Sequence, residues 1–459
     1  MKLSNYKYLI VFLTAFTFPL ILVSQNSLSI QNIDDIIKKE VDNGRSSSIV
    51  VGLINHNNQF IICHGNPFNK SEQKADENII YEIGSITKIF TTTILANMII
   101  KGELKLTDPV SMYLPDSVRF MEKDGKTITL KHLATHTSGL PRFPENFIPK
   151  DPQNPYKDYT ISDIYQFLNN FTVKENKGIG EYSNIGMALL ANILCDVSKS
   201  NFETLLIESI CKPLDMHNTV INTTKEQQEK FATPYIVPNK ITKYWDFQAI
   251  EGAGAIKSNL VDMLKFINAQ LRPDNSSLGK AIKLAHSFQD STSMRNTSIG
   301  LGWFINHQYN DNIIWHNGST GGFKSFVGFD VKKQIGVVVL SNSTQSISDI
   351  GFHIINPNFK IKEFQEKEII ELNFKDFSKY EGFYLMETGD TMHIYSEDNK
   401  YFLKAEKQGV FEIYPQKEDL FIFDQLPFKL RFEDAKNSKF QTLILLDKNT
   451  NTKAKRLDF

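Results

Sequence analysis

The sequence predicts an α+β fold, in which an antiparallel sheet is flanked by helices and carries an inserted helical region, and a small all-β domain follows at the C-terminus. Strand patterns occupy residues 47–65 and 312–342, whereas the chain between about 85 and 290 is mostly helical. The short spacing within 312–342 indicates antiparallel hairpins rather than a doubly wound parallel sheet. After about residue 356 the chain becomes a series of short alternating runs, typical of a small barrel or sandwich.

The first 25 residues predict a secretory signal. Lys2 and Lys7 precede an apolar stretch at 9–23, which is too short to span a bilayer comfortably at the roughly 20 residues required. We expect cleavage near Ser24–Ser27, a periplasmic or secreted protein, and no stable membrane insertion afterwards. An uncleaved segment that anchors the protein is the alternative, because the cleavage region lacks the Ala-x-Ala pattern.

The elements of the first domain, residues 26–356, are assigned by hydrophobic periodicity. Strands are predicted at 47–56, 59–65, 312–316, 323–331 and 334–342. Helices are predicted at 30–43, 85–101, 160–170, 184–199, 202–211, 259–271 and 346–355. A charged linker at 357–376 then leads to the β domain, residues 377–459.

Composition excludes several classes of partner and site. The net charge of −1 predicts no broad surface for nucleic acid, so we expect a small molecule or peptide, and the oligomeric state stays open. Cys63, Cys195 and Cys211 form no C-x-x-C pair, which excludes a disulfide framework and a cysteine metal site. Buried free thiols are expected, with one disulfide as the alternative. No H-E-x-x-H motif or carboxylate cluster occurs, so no metal or cofactor is predicted.

Ser85 and Lys88 form an S-x-x-K motif at a predicted helix entry. The same spacing recurs at Ser4, Ser71 and Ser277, but only Ser85 follows a strand-like run and a glycine. The first turn of such a helix usually has Glu or Gln at the position that Lys88 occupies. A cation there is unfavourable, because it lies at the positive end of the helix dipole. The structural alternative is an N-cap serine followed by a solvated lysine.

Activation of a serine nucleophile would explain a lysine at position 88. A serine hydroxyl is a weak nucleophile at neutral pH and needs a base beside it. Burial and the helix dipole both disfavour the charged form of Lys88, so this lysine could accept or relay the proton of Ser85. A residue that violates a local rule often marks a functional site.

Two further motifs lie on distant parts of the chain. Tyr182 begins the one Y-x-N arrangement, with Asn184 as its last residue, and a phenol between two ammonium-like groups can act as a general base. Alternatively, Asn184 caps the following helix and Tyr182 packs on the surface. His316 begins the one H-x-G triplet, at a strand end, where Asn-Gly is also a common hairpin turn.

Together these motifs resemble those of the class C beta-lactamase and D,D-peptidase family of serine hydrolases. S-x-x-K, Y-x-N and [K/H]-x-G occur in the family's order, and the resemblance covers roughly residues 30–355. It extends to the stretches "LATHTSGLP" at 133–141 and "GLGWF" at 300–304. The resemblance implies a beta-lactamase/transpeptidase-like fold for the first domain and a mechanism without a cofactor.

The resemblance also implies roles for individual residues. Ser85 would be the acylated nucleophile, Lys88 its activating partner, and Tyr182 the general base that later protonates the leaving group. Asn184 would orient the amide side chain of the substrate. The third motif would contribute to substrate binding through His316, Asn317, Gly318 and Ser319, with the N–H groups of Ser85 and Ser319 forming the oxyanion hole.

Two departures from the family pattern bear on the substrate. His316 replaces a lysine, so the site carries less positive charge at neutral pH, and we expect an inflection in the pH–rate profile at its ordinary pKa of about 6.5. Asn317 replaces a threonine whose hydroxyl helps to hold a substrate carboxylate. Both changes favour the family's peptidases, esterases and other hydrolases over penicillin destruction.

The sequence thus predicts a serine hydrolase that acts through an acyl-enzyme at Ser85 on amides or esters, with D-amino-acid peptides or cell-wall fragments as the expected substrates. The alternatives are an esterase or beta-lactamase on the same scaffold, a penicillin-binding sensor with little turnover, and an envelope protein with decayed motifs.

Overall fold

The computed structural model describes residues 28–120, 127–172, 180–236, 240–362, 370–387, 389–397, 400–405, 409–423, 428–447 and 451–457. The predicted signal segment, 1–25, lies outside these residues. Within them, no helix is both long and apolar enough to cross a bilayer.

The first part of the chain is built from twelve strands and eleven helices within the described residues. The strands are β1 (Ser48–Asn55), β2 (Asn58–Gly65), β3 (Ile80–Glu82), β4 (Tyr235–Ile236), β5 (Lys240–Ile241), β6 (Lys257–Asn259), β7 (Asp290–Ser291), β8 (Thr297–Ile299), β9 (Phe304–Asn306), β10 (Ile313–Ser319), β11 (Lys324–Asp330) and β12 (Ile335–Ser341). The helices are α1 (Ile30–Asp42), α2 (Thr87–Ile100), α3 (Leu130–Ala134), α4 (Ile161–Asn170), α5 (Asn184–Ser198), α6 (Phe202–Leu206), α7 (Lys225–Glu229), α8 (Glu251–Gly254), α9 (Leu260–Leu271), α10 (Ser277–His286) and α11 (Ser348–Ile355).

The main sheet has eight strands in the order β2-β1-β12-β11-β10-β9-β8-β7. The pairings given for it are antiparallel, and β1 aligns with β12 so that Val51 faces Val339. The first two strands thus join the last three of this part, as predicted from the strand patterns at both ends. The α+β fold class with an antiparallel sheet is confirmed.

Both faces of the sheet are covered, and alternation along the strands assigns each side chain to one face. On β1, Val50 and Ile54 belong to the large core shared with the helical region, while Ile49 and Val51 belong to a smaller core under α1 and α11. Gly52 permits the close packing of α9, because a Cβ there would lie 2.7 Å from Leu264.

The C-terminal part is a closed eight-stranded barrel, preceded by the short helix α12 (Phe374–Phe377). Its strands are β13 (Gly382–Met386), β14 (Thr391–Glu397), β15 (Lys400–Ala405), β16 (Gly409–Lys417), β17 (Leu420–Phe423), β18 (Lys429–Lys436), β19 (Lys439–Leu446) and β20 (Asn451–Arg456). Aromatic side chains fill the interior, where the Tyr384 hydroxyl donates to the Tyr380 carbonyl at 2.7 Å. The sequence was compatible with either a barrel or a sandwich. Because the eight strands form a closed sheet, this part of the chain is a barrel.

Candidate active site

Ser85 lies in a 3-10 turn, Gly84–Ile86, between β3 and α2. The alternative in which Ser85 is the N-cap of the helix is wrong, since α2 begins at Thr87 and its cap residue, Ile86, makes no side-chain capping hydrogen bond. Gly84 has φ +51°, and a Cβ there would lie 2.7 Å from the Ser319 backbone nitrogen. The tight turn therefore frees the Ser85 hydroxyl from capping and brings it beside the end of β10.

Lys88 is fully buried, contrary to the solvated lysine of the structural alternative. Its Nζ donates to Ser85 Oγ at 2.9 Å and to the carbonyl of Ala253, in α8, at 2.6 Å. Burial lowers the pKa of Lys88 well below its ordinary value, and the charge of Arg142 lowers it further. Among the described residues no carboxylate forms an ion pair with Lys88, so its charged form is disfavoured while the amine stays in contact with the Ser85 hydroxyl.

Tyr182 stands at the entry of α5 with its ring centre 4.9 Å from Lys88 Nζ. Burial raises the pKa of Tyr182 to about 12, and its contact with Ser85 and the charge of Arg142 oppose that rise. The phenol is therefore protonated at neutral pH. The second cation beside this phenol is the guanidinium of Arg142, 5.7 Å from the ring centre, and not a residue of the third motif.

Ser183, rather than Asn184, caps helix α5, so the capping alternative for Asn184 is wrong. The Ser183 hydroxyl accepts from the Gly186 N–H at 2.8 Å and donates to the Pro141 carbonyl at 2.8 Å. Asn184 is the first helical residue, and its N–H donates to the Arg142 carbonyl at 3.2 Å. The segment that follows "LATHTSGLP" is thus fastened to the second motif.

His316 is buried on β10, with its ring centre 6.3 Å from that of Tyr182. Its Nδ1 lies 2.7 Å from the Asn317 carbonyl, which only accepts, so this nitrogen carries the proton and Nε2 is the bare one. Nε2 has no partner among the described residues. Burial and the charge of Lys88 lower the pKa of His316 to about 3, and the expected inflection near neutral pH is therefore wrong.

The rest of the third motif divides between the two sides of β10. Gly318 shares the buried side with His316, and a Cβ at 318 would lie 1.9 Å from the Ile83 carbonyl, so only glycine lets β10 lie against the chain leading to Ser85. Asn317 and Ser319 are exposed. The Asn317 amide donates to Ser348 Oγ at 3.1 Å, in α11, and Ser319 Oγ accepts from Lys324 at 2.6 Å.

The structure thus brings Ser85, Lys88, Tyr182, His316 and the backbone around Ser319 together, and it engages the side chain of Asn317 with α11. Sequence reasoning missed the next three contacts as parts of the site. The His136 ring lies tilted against Tyr182 at 4.5 Å, Phe304 lies 6.5 Å from the same ring, and the Arg142 guanidinium lies 5.7 Å from its centre.

Of His136, Phe304 and Arg142, only the first two lie in stretches of sequence that resemble the family. His136 and Phe304 lie in "LATHTSGLP" and "GLGWF", the stretches already matched to the family, whereas Arg142 directly follows the first of them. His136 Nδ1 accepts from the Ser183 N–H at 3.2 Å, and burial, followed by the charges of Lys88 and His316, lowers its pKa well below the ordinary value. The buried imidazole is therefore neutral and helps to position the segment that carries Tyr182.

The cysteines lie away from these contacts. Cys63, Cys195 and Cys211 are all free, and burial raises the pKa of each thiol to about 12, so they are unreactive thiols rather than a bridge. In the described ranges, no group of three or more His, Cys, Asp or Glu side chains is arranged to hold a metal ion.

The chain is similar to known proteins over the part that contains this site. A family model, Beta-lactamase, matches residues 33–353. The beta-lactamase of Escherichia coli (strain K12) is 26% identical over 350 residues, covering 68% of this chain and 89% of that protein. Protein flp of Staphylococcus aureus (strain N315) is 26% identical over 324 residues, and the match spans 68% of this chain but 63% of that relative.

Solved structures agree with the sequence comparisons. The beta-lactamase/D-alanine carboxypeptidase from Yersinia pestis, complexed with citrate, superposes with a TM-score of 0.60 at 26% identity, covering 71% of this chain and 98% of that one. The octameric penicillin-binding protein homologue from Pyrococcus abyssi reaches 0.63 at 20% identity, over 93% and 100% of the two chains, and supports the fold alone. With the family model matching most of the chain and the three motifs gathered around Ser85, this protein belongs to the Beta-lactamase family of serine hydrolases.

Proposed function

We propose that this protein hydrolyses amide or ester bonds through an acyl-enzyme at Ser85. The observation that carries the proposal is the buried Lys88 amine, 2.9 Å from Ser85 Oγ and with a pKa well below that of an ordinary lysine. A neutral amine in that position is the base that a serine nucleophile requires. Membership of the family supports the reaction class.

In the proposed first step, Ser85 Oγ attacks the carbonyl carbon of the substrate and its proton passes to the Lys88 amine. The new Oγ–C bond moves the carbonyl electrons onto oxygen, and the N–H groups of Ser85 and Ser319 donate to that oxyanion. The sequence suggested Tyr182 as the initial base. Because the pKa of Tyr182 is about 12, we assign the first proton to Lys88 instead.

Collapse of the intermediate breaks the bond to the leaving group as the Tyr182 hydroxyl protonates it. The Lys88 ammonium, 4.9 Å from the Tyr182 ring centre, stabilises the phenolate and then returns a proton to it. A water molecule next attacks the ester at Ser85, and its proton travels through the same two residues in reverse to Ser85 Oγ. The products are the carboxylic acid, the protonated leaving group and the free enzyme.

For the substrate we propose D-amino-acid peptides or cell-wall fragments, with small esters as the second candidate. Esters are favoured by the third motif, in which His316 is neutral and the Asn317 amide donates to Ser348. None of the side chains of residues 316–319 is charged, and the neighbouring Lys324 already donates to Ser319 Oγ, so these residues do not require a charged group on the substrate. Comparing D-Ala-D-Ala peptides with para-nitrophenyl esters separates the two candidates.

Export by residues 1–25 belongs to the same proposal, since peptides of the cell wall lie outside the cytoplasm. Mass spectrometry of the protein recovered from a periplasmic or culture fraction tests it. A mature chain that begins near residues 24–27 is expected, whereas an intact N-terminus in a membrane fraction would favour the anchored alternative.

Active-site labelling tests the nucleophile. A fluorophosphonate probe should label the native protein at Ser85, whereas Ser85→Ala should show no label and no turnover. The variant should stay folded, because one lost hydrogen bond costs about 1 kcal/mol. Near-native turnover in Ser85→Ala would refute the assignment, and a stable penicillin adduct without product would favour the sensor alternative.

A further inference from the structure

The third motif of this enzyme offers a substrate no fixed charge. His316 is buried and neutral, with Nδ1–H turned to the Asn317 carbonyl. The Asn317 amide is engaged with Ser348 on α11. The cation beside this motif, Lys324, already donates to Ser319 Oγ at 2.6 Å, so an anionic substrate requires an uncommitted counter-charge from another part of the site.

Arg142 places a permanent cation beside Tyr182, outside the third motif. Its guanidinium carbon lies 5.7 Å from the centre of the Tyr182 ring, and its charge lowers the pKa of both Lys88 and Tyr182. The residue is also fixed by its backbone, because the Arg142 carbonyl accepts from the Asn184 N–H at 3.2 Å and the carbonyl before it accepts from Ser183. Arg142 thus stands over the reacting groups on a segment anchored to the second motif.

The guanidinium is available to a ligand. Arg142 is exposed, and no carboxylate among the described residues forms an ion pair with it. Its protein neighbours are aromatic: Phe143 lies 5.6 Å away, stacked on Phe147 at 5.3 Å and on Tyr156 at 6.3 Å. This aromatic stack holds the segment in place without neutralising the charge.

We propose that Arg142 binds a carboxylate of the substrate and so determines a preference for anionic esters or amides; this rests on the serine hydrolase function proposed above. A guanidinium pairs with a carboxylate through two parallel N–H···O bonds, and the aromatic face beside it favours an apolar group next to the charge. The charge that the third motif lacks is thus supplied by the segment before the second motif.

The test compares substrates that differ in one carboxylate. One pair is mono-para-nitrophenyl glutarate with para-nitrophenyl pentanoate, which places the charge in the acyl part. A second pair is nitrophenyl butyrate with and without a carboxylate on the phenol ring, which places it in the leaving group. The readout is the ratio of kcat/KM for the anionic over the neutral ester within each pair, at one pH.

Arg142→Gln should lower that ratio by about 10- to 100-fold in at least one pair, the loss expected for a charged hydrogen-bonded pair. Arg142→Lys should retain part of the ratio, because it keeps the charge and loses the bidentate geometry. Lys150→Gln is the matched control: it removes an exposed cation from the same segment and should leave the ratio unchanged. The pair that responds also identifies which side of the scissile bond faces Arg142.

Two results would overturn the proposal. One is an unchanged ratio in both pairs for Arg142→Gln, even if overall activity falls. The other is transfer of the effect to Lys324→Gln, since Lys324 is the cation bonded to Ser319. Failure of the serine hydrolase function looks different: the native protein would then remain unlabelled at Ser85 by a fluorophosphonate, with no ester hydrolysed.

Discussion

Lys88 combines a functional advantage with a cost in stability. The side chain is fully buried, and its pKa is lowered first by burial and then by the charge of Arg142. A lysine whose folded pKa lies below its unfolded pKa binds fewer protons in the native state than in the unfolded state. Its unfavourable contribution is therefore present in full below the folded pKa and disappears as the pH rises toward about 10.4, the ordinary lysine value.

This linkage gives a prediction for Lys88→Met. Between the folded pKa and about pH 10, the free energy of unfolding of the native protein should rise with pH relative to that of the variant. Urea denaturation of both proteins at neutral pH and near pH 9 measures the difference. The variant should also lose hydrolysis at both pH values, since the proton acceptor of Ser85 is gone. A gap in stability that does not change with pH would show that Lys88 is not buried in this way.

At the scale of the element, the turn before α2 and the end of β10 position the site together. Gly84 has φ +51°, and the backbone nitrogen of Ser319 occupies the space where a Cβ would stand. Gly318 makes the reciprocal approach to the Ile83 carbonyl. Two glycines thus allow the two backbones to lie close together, as the proposed oxyanion hole of the Ser85 and Ser319 N–H groups requires.

Gly84→Ala tests this contact, with Gly102→Ala as its control. Both glycines have positive φ, but a Cβ at Gly102, φ +79°, would meet nothing within 4 Å. Gly102→Ala should cost about 1–2 kcal/mol of stability from left-handed backbone strain alone, and Gly84→Ala should cost more, because its Cβ also meets the Ser319 backbone. Only Gly84→Ala should also reduce kcat by tenfold or more, because it displaces an oxyanion donor worth about 10²–10³ in rate. Equal activity in the two variants would remove the Ser319 N–H from the mechanism.

The whole molecule contains separate hydrophobic cores. The two cores against the main sheet share no buried residue with the core of the barrel. One described contact between the two parts is the ion pair of Lys240 and Glu412 at 3.5 Å, and exposed ion pairs contribute little to stability. The predicted division into a catalytic domain and a β domain therefore implies that the two parts unfold independently, which calorimetry can measure.

Phe421→Ala and Phe266→Ala compare the two parts directly. Both side chains are fully buried, the first in the barrel and the second on α9, in the core shared with the main sheet. Each truncation should cost about 3–5 kcal/mol in the part that contains it. We expect Phe421→Ala to lower one calorimetric transition while fluorophosphonate labelling at Ser85 persists, and Phe266→Ala to reduce labelling. Loss of labelling in Phe421→Ala would show that the two parts unfold as one.

The sequence was sufficient for five of the eight strands of the main sheet, but not for the short strands β7, β8 and β9, and it identified part of the candidate site. Short runs of apolar residues predicted strands such as β1, β11 and β12, because a strand buried on both faces is apolar along its length. Ser85 and Lys88 were identified because a lysine in the first turn of a buried helix violates a local preference. The capping role assigned to Ser85 failed, since the left-handed Gly84 and the 3-10 turn delay the start of α2 to Thr87.

Charge states were decided by the tertiary structure alone. From its sequence alone, His316 was expected to have an ordinary imidazole pKa, whereas burial and the nearby Lys88 lower it to about 3. Arg142 carried no signal, because its importance arises from its distance to Tyr182, 40 residues along the chain. Local patterns record which residues can form a helix or strand, but a pKa depends on solvent exclusion and on charges that only folding brings near. For that reason the sequence by itself determined the family and pointed to Ser85 as the expected nucleophile, whereas the packed structure decided which groups near it favour their charged form.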